Sequence, residues 1–347
     1  MTKKIRVGLI GAGNIGQNAH IPAYLKQEDV ELFAVYDIKE SRSRDVAKRF
    51  GFKHVATSLD EIVSMDELDA VSVCTWNNGH AESVIAAANA GKHILCEKPM
   101  AMTVAETEEM AKAVRANDVI FMMGFVNRFR AESKVIKALA EEGKFGDIYY
   151  AKTGIIRRRG TPLGWFTDLS KSGGGPVIDL GVHVIDVTWY YMGKPKPISV
   201  SAVTYSKIGD YKTKGVSRWE AYDTDDLVFD TEDSAAALIR FENGASMTVD
   251  VSWAINGQER NVYSEIYGTK AGASLDPFMI YGEEADYLTD NRPVLEGEDM
   301  FGNQIRHFID CVKTGNTPIA TLEDGMEIQK ILNGIYESAR LGKEIQL

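Results

Sequence analysis

Four side chains between residues 179 and 190 stand out by type and spacing: Asp179, His183, Asp186 and Tyr190. At the ~100° per residue of an α-helix they fall within a sector of roughly 60°, while Val177, Ile178, Val184, Ile185 and Val187 lie outside it. A polar stripe thus crosses an otherwise apolar helix. Burying a carboxylate and an imidazole is costly unless each has a partner, so a stripe on a core-facing helix needs a reason; the plain alternative is that it faces water. Gly173-Gly174-Gly175 before Pro176 favours the first, since glycines let backbone approach a ligand closely and place the helix start at a cleft. Histidine has the unperturbed pKa nearest neutrality, so His183 is a candidate base for a hydroxyl proton, an effect of about 10² to 10⁴-fold. Asp179, at i−4, is within reach to stabilise the imidazolium or to orient a substrate.

Oxidation of an alcohol also needs an acceptor for the electrons, and the N-terminus supplies one. A strand-like run, Ile5 to Ile10, leads into Gly11-Ala12-Gly13-Asn14-Ile15-Gly16, and Asp37 closes a second strand-like run 21 residues after Gly16. In this context Gly11 permits a tight turn, Gly13 lets backbone amides approach a pyrophosphate, and Gly16 lets the next helix pack on the strand with its N-terminus toward the phosphates. Asp37 is placed to accept from ribose hydroxyls and to repel a 2′-phosphate, which favours NAD over NADP. Asn14 and Ile15 in the turn and Ile38 beside Asp37 join the cofactor candidates. Lys39 and Arg42 are nearby cations that can tolerate a phosphate, and an aspartate in a turn with no ligand is the alternative for Asp37.

These groups need a scaffold, and the pattern supplies two. Up to about residue 125, strand-like runs at 30–36, 70–75, 93–96 and 119–123 alternate with helical stretches at 42–50, 81–90 and 104–116, which reads as βαβ units and a parallel, doubly wound sheet. Gly51 and Gly91 serve as helix stops. Cys96-Glu97-Lys98-Pro99 follows a strand and so sits at the carboxyl edge of that sheet, where ligands of such folds bind; Lys98 is a candidate to stabilise a developing alkoxide. Beyond residue 125, helical segments at 132–142 and 177–191 precede strand-like runs at 198–206, 234–241, 245–253 and 262–267, with Glu242-Asn243-Gly244 as a hairpin and a 268–272 turn. The fold class is α/β: a Rossmann domain over 1–125, then an α/β domain over 126–347 with a large, open, mainly antiparallel sheet, its last helix a candidate to pack back on the first domain. Alternating strands with aromatics such as Phe241 and Trp253 suggest a partner subunit on the uncovered face, hence a homo-oligomer, with an ordinary solvated face as the alternative.

Composition narrows the function. At 347 residues the chain exceeds the usual single core, and 44% hydrophobic content fits a globular protein. A net charge of −11 argues against a nucleic-acid partner. Arg157-Arg158-Arg159 is either a solvated strand end or a loop that hydrogen-bonds a polyol or anion. Cys74, Cys96 and Cys311 have no C-x-x-C spacing and the six histidines no H-x-x-x-H pair, so no metal site or disulfide framework is expected. With no long apolar stretch, and Met1-Thr2-Lys3-Lys4 running straight into a strand, the expectation is a cytoplasmic protein with no membrane partner.

Together the glycine fingerprint 11–16, Cys74-Thr75-Trp76-Asn77-Asn78-Gly79-His80, Glu97-Lys98-Pro99 and the segment Gly173 to Asp186 resemble the Gfo/Idh/MocA oxidoreductases, the family of glucose-fructose oxidoreductase and inositol dehydrogenase, over nearly the whole chain. The resemblance implies a Rossmann domain, a C-terminal domain whose open sheet builds dimers or tetramers, and a catalytic lysine, aspartate and histidine falling on Lys98, Asp179 and His183. It places Thr75, Trp76, Asn77, His80, Glu97, Lys98 and Asn127 along the cofactor, with Trp76 where proline is common. It brings Arg128 near nicotinamide and substrate. The loop 157–168 resembles the variable substrate-contacting insertion of sugar-active members, which makes Arg157 and Trp165 candidates; Trp165 stacks on a sugar or the nicotinamide, or is a core or interface aromatic. The implied activity is NAD-dependent oxidation of a secondary hydroxyl of a sugar or cyclic polyol, inositol-like substrates first. Alternatives are a cofactor-bound sugar sensor without turnover and a glycosidase that uses NAD transiently.

Overall fold

The computed structural model describes residues 4–216, 218–221 and 228–347; Met1-Thr2-Lys3, read above as leading into the first strand, lie outside the described residues. The chain divides into two compact units, one of the residues up to Val126 with Asp299–Gln329, the other of Asn127–Glu298 with Lys330–Leu347. Among the described residues no helix is long and apolar enough to cross a membrane.

The first unit is built on a six-stranded sheet of β1 (Ile5–Ile10), β2 (Val30–Tyr36), β3 (His54–Val55), β4 (Ala70–Val73), β5 (His93–Cys96) and β6 (Phe121–Met123), in the order β3-β2-β1-β4-β5-β6. All neighbours are parallel, as strands buried on both faces allow: Val7, Leu9 and Ile10 of β1 and every residue of β4, Ser72 included, are buried. The order reverses between β1 and β4, so the segments leaving their carboxyl ends border the crevice where such sheets bind ligands. The helix after β1 has a π-helical turn, Gly16–His20, continued by Ile21–Leu25. Pro22 explains it: proline has no N–H to donate and clashes with the carbonyl four residues back, so the ladder widens and Ile21 N–H reaches Gly16 O. Thr103 and Glu106 form a reciprocal cap on Val104–Asn117, and Gly51, in the left-handed region, stops Glu40–Phe50.

The second unit carries a nine-stranded sheet of β7 (Ile148–Ile156), β8 (Pro197–Tyr205), β9 (Ser234–Phe241), β10 (Ser246–Ser252), β11 (Arg260–Gly268), β12 (Gly272–Ser274), β13 (Met279–Glu284), β14 (Tyr287–Asn291) and β15 (Ile345–Gln346), ordered β14-β13-β12-β11-β7-β10-β9-β8-β15. Only β7 and β10 pair in parallel; all other neighbours are antiparallel. The 242–244 hairpin forms as its residues demand, with Gly244 at φ +85° and the Asn243 side chain accepting from Ala245 N–H. Alternation sets the faces. Val177, Gly181 and Ile185 of the site helix line one small space with Ala235, Ala237, Val249 and Val251. Phe241 and Trp253 continue these two rows and are 1% and 0% exposed. The expectation that these two aromatics mark a partner's surface is therefore wrong: they point into the unit's own core. The opposite face presents Lys152, Ser201, Val203, Thr248 and Asp250 around an open depression.

Candidate active site

Within the first unit the glycine loop is shaped for a dinucleotide. Gly11 takes φ +91°, and a Cβ there would lie 2.6 Å from the Cys74 backbone. A Cβ on Gly16 would meet Gly11 O at 3.0 Å and Leu9 at 3.2 Å, so that glycine lets helix and strand touch. At Gly13 a Cβ would meet nothing within 4 Å: the loop stands open on the side where backbone amides would receive a pyrophosphate. Residues and space fit the cofactor.

Asp37 closes β2 and is 7% exposed; its carboxylate accepts from Ala12 N–H at 2.8 Å, Lys39 N–H at 2.9 Å and the Arg42 guanidinium at 3.2 Å. It thus fixes the glycine loop, and Arg42 offsets part of the negative charge that would repel a 2′-phosphate. Ile38 beside it is 68% exposed. Thr75 and Trp76 are half-buried in the loop after β4, Asn77 is buried, and Thr75 Oγ donates to the Trp76 carbonyl. His80 is fully enclosed: Nδ1 sits 2.7 Å from the Pro99 carbonyl, and burial holds its pKa below the ordinary histidine value. Its ring braces the turn after Lys98. Glu97 is buried too, its Oε1 2.8 Å from Nε2 of His20, whose Nδ1 lies 3.1 Å from Ser72 Oγ; Tyr24 hydroxyl reaches the same Ser72 at 2.7 Å. Lys98 is half-buried on top of this network, its backbone N–H donating to Glu97.

Within the second unit the site helix starts with a π-helical turn, Val177–Gly181, and continues as Val182–Tyr191. From 177 to 191 every residue is buried except Asp179, His183 and Tyr190, which are half-buried. Three members of the stripe thus reach the surface together. The fourth, Asp186, turns inward: its carboxylate receives Arg128 Nε at 3.1 Å and Nη2 at 2.5 Å, with side-chain exposures of 1% and 0%. Arg128 Cζ lies 4.6 Å from the Tyr190 ring centroid. Asn127 is buried, its carbonyl accepting from Ser133 Oγ at 2.6 Å. Asp179 Oδ2 accepts from the Trp253 indole N–H at 3.0 Å. The space beside the glycines is filled by the protein and not left for a ligand: a Cβ on Gly174 would lie 2.0 Å from the Tyr336 hydroxyl, and one on Gly175 2.2 Å from the Glu232 carbonyl. Arg157 is half-buried and donates to the Gly160 carbonyl, while Arg159 is tied to Thr213, Asn256 and the Ile255 carbonyl. Trp165 stacks on Phe166 at 4.0 Å, and Trp219 packs edge-on against Phe166 at 5.2 Å.

The sequence reading missed His20, Trp253 and Glu232 as supports of the site. His20 had one signal, a histidine among apolar residues of the fingerprint helix; the other two had none in their own spacing.

Two family models match the chain in succession: an oxidoreductase family, NAD-binding Rossmann fold, over residues 5–125, and the C-terminal alpha/beta domain of the same family over 137–347. The chain belongs to the Gfo/Idh/MocA oxidoreductase family. Among curated members, D-glucoside 3-dehydrogenase of Escherichia coli is 32% identical over 99% of this chain and 97% of its own length. Myo-inositol 2-dehydrogenase of Thermotoga maritima is 29% identical over 92% of both. Among solved structures, levoglucosan dehydrogenase in complex with NADH and levoglucosan superposes with a TM-score of 0.86 at 25% identity over 99% of both chains. As a Gfo/Idh/MocA member the protein is an NAD-binding oxidoreductase, and its glycine loop and mixed nine-stranded sheet are that family's two domains.

Proposed function

We propose that the protein is an NAD-dependent dehydrogenase that oxidises one secondary hydroxyl of a sugar or cyclic polyol to a ketone. The site helix carries the reading: from an otherwise buried segment only Asp179, His183 and Tyr190 reach outward, on a chain whose glycine loop fits a dinucleotide. NAD, when bound, supplies the hydride acceptor. His183 takes the hydroxyl proton. Asp179, its other side held by Trp253, orients the substrate and favours the imidazolium that forms. Lys98 stabilises the developing alkoxide. Gly11, Gly13, Asn14, Ile15, Gly16, Asp37, Ile38, Thr75, Trp76, Asn77 and Asn127 hold the cofactor, with Glu97 and His80 fixing Lys98 from below, and Arg157 and Trp165 contact the sugar. Arg128 serves this site through Asp186. The names of the relatives, which speak of a glucoside, an inositol and levoglucosan, support a polyhydroxylated ring as substrate. Asp37 favours NAD over NADP. The uncovered sheet face, with Val203 and Tyr205 45% and 46% exposed, supports a homo-oligomer. The buried free thiols Cys74, Cys96 and Cys311 support a reducing, cytoplasmic setting.

The test is reduced-nicotinamide absorbance with NAD or NADP and a panel of inositols, aldoses, glucosides and anhydrosugars. Turnover of one ring-polyol class with NAD, and loss of at least about 100-fold of it in His183→Ala, is the expected result. A fully active variant removes His183 from the chemistry, and a silent panel with NAD bound overturns the dehydrogenase.

A further inference from the structure

Asp179, one of the residues expected to meet substrate, is held by a chain of buried groups. Glu232 is 7% exposed; its Oε2 accepts from Gly175 N–H at 2.9 Å and its Oε1 from Val177 N–H at 3.1 Å and the Tyr336 hydroxyl at 2.8 Å. Val177 N–H belongs to the first turn of the site helix, whose N–H groups have no intrahelical acceptor, and Gly175 N–H lies just before it. Burial raises the Glu232 pKa, and the three donors work against that rise. The next residue, Asp233, accepts the Trp253 backbone N–H on its carbonyl at 2.9 Å. Its carboxylate gathers the N–H groups of Lys207, Ile208 and Gly209 at 2.5, 2.6 and 2.8 Å. Trp253 in turn donates its indole N–H to Asp179.

We propose that Glu232 is a positioning residue for Asp179, the two being joined by a closed circuit that runs from Glu232 through Asp233 and Trp253 to the Asp179 carboxylate and returns through the start of the site helix. The return leg is Asp179 N–H to Gly175 O at 3.0 Å, next to the Gly175 N–H that Glu232 holds. Carboxylate and backbone of Asp179 are thus both referenced to one dipeptide at the head of β9. The absence of Cβ atoms at 174 and 175 belongs to the same device, because side chains there would collide with Tyr336 and Glu232 and push the helix start away. A catalytic group displaced by about 1 Å costs on the order of 100-fold in rate, so a brace that holds the group within a fraction of that has a kinetic signature. Glutamine keeps the shape of Glu232 but turns one acceptor oxygen into a donor, so at least one of the three donors loses its acceptor. The proposal rests on the reading of Asp179 as part of the active site.

The test measures kcat, sugar KM, NADH affinity and thermal midpoint for wild type, Glu232→Gln, Asp179→Asn and the double variant. It adds the ¹⁵N–¹H indole resonance of Trp253, identified by its loss in Trp253→Phe. Glu232→Gln is expected to lower kcat at least about tenfold while NADH affinity stays within about threefold. In the Asp179→Asn background the same change is expected to cost less than about twofold more, because both act on one carboxylate. The indole resonance is expected to move in both single variants. Tyr336→Phe, which removes one of the three donors, is expected to give the same pattern at smaller amplitude and keeps the test open should Glu232→Gln not fold. Losses that multiply, or a lowered thermal midpoint with kcat unchanged, overturn the positioning role. An Asp179→Asn variant with wild-type turnover overturns the active-site reading instead, and the indole resonance then decides alone: movement in Glu232→Gln upholds the brace, and no movement refutes it.

Discussion

Replacing Arg128 by methionine separates a structural charge from a substrate contact. In the structure this guanidinium is enclosed, makes contacts of 3.1, 3.2 and 2.5 Å with Asp186, and lies against Tyr190. Methionine fills much of the same space and leaves the Asp186 carboxylate, 1% exposed, without that counter-charge. Breaking one side of a buried pair costs about 3–5 kcal/mol, whereas replacing both partners by apolar groups is often close to neutral. Arg128→Met is therefore expected to lose about 3–5 kcal/mol at neutral pH, and Arg128→Met with Asp186→Leu to regain most of it, giving a coupling of at least about 2 kcal/mol. Urea unfolding followed by tryptophan fluorescence reads these differences from the transition midpoints at constant m. A single variant that loses less than about 1 kcal/mol, or a double variant as unstable as the single, refutes the reasoning; a stable Arg128→Met with a raised sugar KM would return Arg128 to the substrate contacts.

The two central glycines of the fingerprint are expected to fail differently. Gly11→Ala strains a positive φ against the Cys74 backbone and lowers the thermal midpoint with or without cofactor, while Gly13→Ala folds normally and loses NADH affinity at least about tenfold by fluorescence titration, since its methyl enters the space reserved for phosphate. Asp29 is desolvated, which opposes ionisation, but hydrogen bonds from Arg306 at 2.9 Å and from Lys313 outweigh this and take its pKa down to about 2. The stability it contributes is full above the unfolded pKa of about 3.9 and fades as pH falls through about 2; solvent screening of partly exposed groups leaves on the order of 1 kcal/mol, seen as a smaller midpoint difference between wild type and Arg306→Met at acid pH than at pH 7. Trp165→Ala, which removes the ring stacked on Phe166, is expected to raise sugar KM at least about threefold with NADH affinity unchanged; unchanged kinetics would leave Trp165 a packing residue.

Much of this was legible in the sequence because it rests on local rules. The parallel sheet follows from unbroken apolar runs such as Leu32 to Val35, and the glycine loop from its spacing taken together with the strand before it and Asp37 after it. The outward stripe of the site helix follows from angular bookkeeping for Asp179, His183 and Tyr190. What failed depends on partners distant in sequence. Asp186 shares the stripe's sector by angle, yet Arg128, 58 residues away, draws it into the core. Trp253 reads as a surface aromatic in isolation, because the helix it packs beneath and the carboxylate it holds lie 74 residues earlier. The glycines at 174 and 175 read as room for a ligand, and the groups that fill that room, Tyr336 and Glu232, come from the far end of the chain and the head of β9.

The central claim is that the protein takes a hydride from a ring carbon bearing a secondary hydroxyl and leaves it on NAD. A substrate of the responding class, carrying deuterium on the carbon that is oxidised, tests it most directly. The expected result is one deuterium in the isolated reduced cofactor per ketone formed, with turnover slowed by the label and lost in His183→Ala. Deuterium kept in the sugar product, or released to water with no reduced cofactor, would contradict the dehydrogenase and leave a sensor or a hidden-redox glycosidase in its place.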